Sequence, residues 1–436
     1  MKKTTSILIT AAVSFAVSGI ISAAGFENDV KAVSEKLMVN AGGEQIEIAD
    51  PIPVPSEELI TSGPKWWSVT FFGSAHRHAA KSALKAMNKA LFPDIAAAKD
   101  ILIDQSNDEG GHRSGELNGG PVKEIWFGNT PFSRGGVLGN YTQFKFNEAY
   151  SRLGTICHLT QDQAVPVHAA NIKHGISDSF EGYYGNDVNI TTRRSDVDRE
   201  PWEYYQVLQD ETRSKLPGWT DPKTGLPYWV AAPDAPRFGE DITNGPWGHY
   251  GGRKNRDVWA VPPPQNNNDS GNNNNIWITE HAEIRQDQLN ISGEVTISVL
   301  ESASKRLPPL VQNLSVSTTT LRFSDGVKAG YSVKFNVYEN RAPGILYTMY
   351  VYRDGQLLGE AFQGAASLFP PKKDEGMMFS GALTAAWAGV VNFEPLPPGT
   401  YTLDLRVTDE DDNVTPDMVN DDAIPENDTK KTIVIE

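Results

Sequence analysis

The apolar residues of this chain change their spacing at RLPPL (306–310). Before that point they recur every three or four residues; after it they alternate. Side chains repeat every 3.6 residues around a helix and every second residue along a strand, so the two blocks cannot share one regular structure. A chain of 436 residues can bury more than one core. The change of period therefore predicts an all-α domain over 66–306, followed by an all-β sandwich over 311–436.

Within the first block, HRHAAKSALKAMNKALF (76–92) puts Ala80, Ala83, Leu84, Met87 and Leu91 on one face, with Pro93 ending the helix. A second helix is predicted over 144–164, with Phe146, Ala149, Tyr150, Leu153, Ile156 and Cys157 inward. A third is predicted over 279–306. The irregular stretch 236–276, with its QNNNDSGNNNN tract, fits a solvated insertion better than a lid over a site. In the second block STTTLRF, YSVKFNVY, ILYTMYVY and TYTLDLRV alternate, separated by turn signals such as RDGQ and PPGT. About seven short strands of this kind suggest an immunoglobulin-like sandwich. PPGTYTLDLRVTDEDDNVTP resembles the last strands of bacterial immunoglobulin-like modules.

The N-terminus reads as a signal peptide over 1–24. MKK is a basic start, SILITAAVSFAVSGII an apolar run, and SAAG a small-residue cleavage site. Residues 25–65, rich in proline (ADPIPVPSEELITSGP), read as a pro-segment or flexible arm. No later segment is apolar enough to be a transmembrane anchor, so the expected location is extracytoplasmic: secreted or periplasmic. Cys157 is the single cysteine and can form no internal disulfide, so stability must come from packing or from ions. Cys157 itself is expected to act as a small buried hydrophobe. A net charge of −16 argues against a polyanion-binding surface spread over the whole chain, though not against a cleft that holds cations.

That leaves the eight histidines. In HLTQDQAVPVH (158–168), His158 and Asp162 stand four apart and share a helix face, which runs back to Gly154 and Ser151. A small residue one turn below a histidine leaves room for another element to approach. Pro166 ends the helix and His168 follows. Imidazole nitrogen and carboxylate oxygen are an ordinary zinc ligand set. Taken alone, a His–Asp pair at this spacing also fits a plain hydrogen-bonded pair. More donors lie in KHGISDSFEGYY (His174, Asp178, Glu181), SNDEGGH (Asp108, Glu109, His112) and HRH (76–78). His76 lines up with the buried face of its helix and His78 with the polar face, while His249 and His281 stand apart. The carboxylates of 409–428 suit either a calcium ion or a solvated acidic loop.

LGTICHLTQDQAVPVHAAN resembles the central motif of the zinc-dependent phospholipases C, a superfamily shared with fungal single-strand-specific nucleases. The carrying pattern is H-x3-D-x5-H, with proline two residues before the last histidine and asparagine three beyond it. The resemblance spans 66–306 and implies an all-helical domain with three zinc ions in a cleft. It implies that His158 and Asp162 bind in the paired-metal part, with Asp162 bridging. His168, His174 and either Glu181 or Asp178 would hold the third ion, and Asp108 and His112 would complete the shell of the first ion. Asp108 would also orient the attacking water. Processing after Lys65 would let the amine and carbonyl of Trp66 bind zinc together with His76. The expected activity is hydrolysis of a phospholipid headgroup phosphodiester at a membrane surface. A zinc nuclease acting on nucleic acid, and an inactive zinc-stabilised adhesion or binding protein, are the alternatives.

Overall fold

A computed structural model describes residues 73–107, 120–128, 135–172, 180, 188–190, 194, 199–231, 248–251, 254–255, 275–276, 281–317, 320–321, 329–341, 344–367, 383–393, 396–416 and 429–436. Trp66, Asp108, Glu109, His112, His174, Asp178 and Glu181 lie outside these residues, as do the expected leader and arm. The described residues fall into two compact units, one within Glu57–Lys305 and one within Arg306–Glu436.

The first unit is helical: α1 Gly73–Ala86, α2 Pro93–Ala97, α3 Lys99–Ser106, α4 Gly120–Phe127, α5 Gly136–Thr142, α6 Phe146–Asp162, α7 Pro166–Ala169, α8 Glu203–Lys215 and α9 Ala282–Arg306. Two-residue strands also occur, β1 Trp229–Val230 paired with β2 His249–Tyr250, and β3 Lys254–Asn255 paired with β4 Asn275–Ile276.

Helix α1 stops six residues short of the predicted end. The carbonyl of Asn88 accepts the amides of Leu91 and Phe92, both at 3.1 Å, and its side-chain oxygen accepts the amide of Ala90 at 3.1 Å. This local capture of backbone donors closes the chain into a turn. Pro93 then opens α2 at a first-turn position, where its missing N–H costs nothing.

Helix α6 buries 13 of its 17 residues, so it is surrounded rather than one-faced. It ends at Asp162, and Pro166 starts α7 after an extended Val165, the conformation a residue before proline prefers. Helix α9 buries polar residues as freely as apolar ones, and side-chain bonds account for this. Gln288 donates to the Ala164 carbonyl at 2.7 Å and to the Thr212 hydroxyl at 2.9 Å. Ser304 donates at 2.8 Å to Asp94, whose other oxygen accepts from Tyr150 at 2.8 Å. One buried carboxylate thus ties α2, α6 and α9 together.

The second unit is built of strands: β5 Leu310–Val316, β6 Thr320–Leu321, β7 Ala329–Glu339, β8 Gly344–Arg353, β9 Gln356–Ser367, β10 Leu383–Phe393, β11 Gly399–Asp409 and β12 Lys430–Ile435. They form two sheets, ordered β10-β7-β5 and β6-β12-β11-β8-β9. All neighbours are antiparallel except β12 and β6, which run parallel. The core includes Phe335, Val337, Met349, Leu403, Leu405 and Ile433. RDGQ is a two-residue hairpin turn between β8 and β9, with Asp354 and Gly355 at φ of 52° and 77°, the pair of left-handed residues that matches strand twist.

The first strand is not where alternation pointed. STTTLRF contributes the two-residue β6, whereas β5 begins within the boundary motif itself. A bulge between Gln312 and Ser315, with Asn313 at φ 56°, breaks the alternation of LVQNLSV and hid the strand.

Candidate metal centre

Gly154 sets the geometry. A Cβ placed there would lie 2.6 Å from Gln105 Cβ and 3.2 Å from the Leu102 carbonyl oxygen. Only glycine lets α3 approach α6 this closely, which is the use expected for a small residue one turn below His158. The close approach sets the carbonyl of Ser106, the last residue of α3, 2.9 Å from His158 Nδ1. A carbonyl oxygen only accepts, so Nδ1 carries the hydrogen and the neutral ring keeps its lone pair on Nε2. Nε2 faces Asp162 Oδ2 at 3.5 Å.

His76 reaches the same carboxylate from α1, with Nε2 3.2 Å from Asp162 Oδ1. Its Nδ1 is 2.9 Å from Gln161 Oε1. The two imidazoles lie 4.3 Å apart, tilted by 30°. Their ligand atoms and a carboxylate oxygen of Asp162 fall within 4.8 Å of one another, the one such group of three among the described residues. The side chains of His76 and Asp162 are 11% exposed and that of His158 4%.

Two neutral Nε2 lone pairs aimed at a carboxylate repel it. Either an added proton or a cation between them resolves the conflict. Imidazole nitrogen and carboxylate oxygen are ordinary zinc donors, and the contacts of 3.2 and 3.5 Å, made to different oxygens of Asp162, bring all three side chains together. Both outer nitrogens donate to an oxygen, the arrangement that orients a metal-binding histidine. The donor set fits zinc.

Burial alone would raise the pKa of Asp162. With the imidazoles protonated in place of a bound cation, the charges of His158, His168 and His76, with the hydrogen bond His76 then donates, outweigh burial and hold this carboxyl well below the usual range. The phenol of Tyr205, on α8, is pushed up by burial and then by the charge of Asp162, which keeps it neutral.

His168, on α7, is close enough to act on Asp162 electrostatically, although it is not a member of the three-residue group. His78 is half-buried and also outside the group. His281 is fully buried in an aromatic core, with ring centroids 4.6 Å from Tyr228 and 4.8 Å from Trp229. Cys157 is a free buried thiol whose pKa burial raises, which makes it a poor thiolate donor. In the acidic segment after β11, Asp409 accepts the amides of Asp411 and Asn413, while Arg341 pairs with Glu410 and Asp411. No group of three carboxylates forms among the described residues there, and 417–428 lie outside them.

Sequence reasoning passed over Ser106, Gln161, Tyr205 and Thr296. Gln161 had a usable signal, being three residues past His158 and so on nearly the same helix face. Thr296, which accepts from Gln161 Nε2 at 3.0 Å, had none.

No family model matches the chain, and no curated protein does. Among solved structures it is similar to the alpha toxin from Clostridium absonum, with 10% identity over 84% of this chain and 100% of that one, at a TM-score of 0.30. It is similar to the Clostridium perfringens alpha-toxin from avian strain SWCP, with 12% identity over 85% and 100%, at 0.29. A bacterial adhesin from Mobiluncus mulieris, described as containing intramolecular disulfide, isopeptide and ester bond cross-links, is similar at 11% identity and a TM-score of 0.19. That match takes in 30% of this chain and 58% of the adhesin, so the chain spans less than two thirds of the adhesin's length. At these scores the residues of the site, and not the likenesses, carry the reading that follows. No helix of the described residues is long and apolar enough to cross a membrane.

Proposed function

We propose that the chain is an exported zinc-dependent phosphodiesterase that cleaves phospholipid headgroups at a membrane surface. The observation that carries this reading is the pair of imidazoles, each held at Nδ1, aiming Nε2 at one buried carboxylate. Bound zinc would supply a Lewis acid for phosphate oxygens and a water acidic enough to ionise near neutral pH.

The chain's own residues do the rest. Asp162, kept ionised, supplies negative charge without first losing a proton. His76 and His158 bind through Nε2, and Ser106 prevents His158 from turning. Tyr205 stays a neutral phenol in the field of Asp162. Trp66, His112, His168, His174 and Glu181, or Asp178 in place of Glu181, would complete a three-zinc ligand set, with Asp108 both a ligand and the residue that orients the attacking water. The net charge of −16 favours a lipid substrate over a long nucleic acid.

We infer also that the β-unit is an immunoglobulin-like sandwich. Supporting this are its two sheets, the parallel β6–β12 edge, and Tyr401 near the start of β11, whose hydroxyl donates to the Pro397 carbonyl at 2.6 Å. That bond has the form of the corner tyrosine of such folds.

The test is metal analysis of the secreted protein with parallel assays on phosphatidylcholine vesicles and single-stranded DNA. Bound zinc with headgroup release is expected. Cleavage of DNA alone would transfer the reading to a nuclease, and a zinc-free, inert protein would overturn it.

A further inference from the structure

We propose that Gln161 and Thr296 are positioning residues that lock His76 in its Nδ1–H tautomer and so point Nε2 at the metal, an inference that rests on the zinc reading above. The two histidines of the site are held differently. His158 donates to a backbone carbonyl, which cannot rotate to offer anything else. His76 faces a side-chain amide, which presents an oxygen in one orientation and an NH2 in the other. Were the amide reversed, Nδ1 would have to accept, the ring hydrogen would move to Nε2, and the ligand atom would be blocked.

Thr296 decides the orientation. Its hydroxyl hydrogen goes to the Ser292 carbonyl at 2.7 Å, one turn back along α9. Its oxygen is then left as an acceptor, and Gln161 Nε2 lies 3.0 Å away. With the NH2 end fixed there, Oε1 points at His76 Nδ1 at 2.9 Å, and the imidazole must donate. Gln161, Thr296 and Ser292 are all buried, so bulk water does not compete for these bonds. The relay runs from the Ser292 carbonyl through Thr296 and Gln161 and ends at His76 Nδ1.

The experiment uses the full secreted chain stripped of metal. Nitrogen-15 NMR at alkaline pH, where the ring is neutral, reads the His76 tautomer, and competition against a chromophoric chelator reads the affinity for zinc alone. Gln161→Leu removes the acceptor, Gln161→Glu keeps one, and Thr296→Val frees the amide with little change of shape. Gln161→Leu is expected to lower zinc affinity about 10- to 100-fold, the usual outer-partner effect, and to populate the Nε2–H form. Thr296→Val should give mixed tautomers and a smaller loss, while Gln161→Glu should restore Nδ1–H and most of the affinity. Unchanged tautomer and affinity in both Gln161→Leu and Thr296→Val would overturn the proposal, as would Gln161→Glu failing alongside Gln161→Leu. Should Gln161→Leu not fold, Thr296→Val against wild type decides alone. A wild type that takes up no zinc would sink the metal reading, whereas the tautomer measured without metal tests the relay by itself.

Discussion

Gly154→Ala adds one methyl group at the closest approach of α3 and α6. The new carbon would sit 2.6 Å from Gln105 Cβ, where carbon atoms in contact prefer about 3.5–4.0 Å. Neither Gln105 Cβ nor the Leu102 carbonyl is the free end of a side chain, so α3 must retreat by about 1 Å. The Ser106–His158 hydrogen bond, 2.9 Å long, would then stretch past the limit of a useful bond. Overpacking costs about 1–3 kcal/mol and the lost buried bond about 1 kcal/mol, while replacing a helical glycine returns up to about 1 kcal/mol. A net loss of about 1–3 kcal/mol corresponds to a fall in melting temperature of about 2–4 °C per kcal/mol for a unit of this size. Zinc affinity should fall about tenfold or more, because His158 loses its anchor. Gly139→Ala is the control, since a Cβ there meets only the Phe127 carbonyl, at 4.0 Å. Calorimetry and chelator competition read both effects. If Gly154→Ala melts and binds zinc like wild type, the close approach does not orient His158 and the reasoning is refuted.

Asp162→Asn should reduce zinc uptake by more than the ~10–100-fold of an outer-partner change, as measured by metal analysis after dialysis, and retained zinc would count against the site. Asp94→Ala removes a carboxylate bonded to Tyr150 and Ser304, and should cost about 3 kcal/mol or more in urea unfolding; a loss under about 1 kcal/mol would show that the three-helix tie is idle. In the β-unit, burial pushes the pKa of Asp409 up to about 6 from 3.8, against the lowering effect of bonds from Asn413 and Asp411. A raised folded pKa means that folding favours the protonated form, so this group's contribution falls as pH rises from about 4 to about 6. The difference of about 2 units amounts to at most about 3 kcal/mol. Asp409→Asn should flatten that part of the stability profile, measured by thermal melts from pH 3 to 8, and an unchanged slope would assign it to other groups.

Periodicity located α6 and α9 to within three residues, because their apolar positions recur over many turns. It misplaced the end of α1, where Asn88 captures amides that a hydrophobic pattern does not register. It missed β5, where a bulge disrupts alternation, and it named no residues for β9 or β10, whose sequences QLLGEAFQGAAS and LTAAWAGVVNF carry little alternation. At the site, the i, i+4 spacing of His158 and Asp162 and the inward phase of His76 were legible, and the three do meet. The orienting groups were not. Ser106 acts through a backbone carbonyl, which has no sequence signature, and Thr296 stands 135 residues from the amide it holds. Local spacing carries donors, and only tertiary closure supplies what aims them.

The tie at Asp94 has a consequence for how the chain matures. Its partner Ser304 lies 210 residues further on, and Thr296 belongs to the same late helix. His76, His158 and Asp162 all leave the ribosome well before either. Ser106 can hold His158 before α9 arrives, but the amide that aims His76 is fixed only by Thr296, through a closure that joins distant parts of the chain and forms slowly. A helical unit cut short before Ala282 would carry every donor of the three-residue cluster and still lack Thr296, the residue proposed to lock His76 in place.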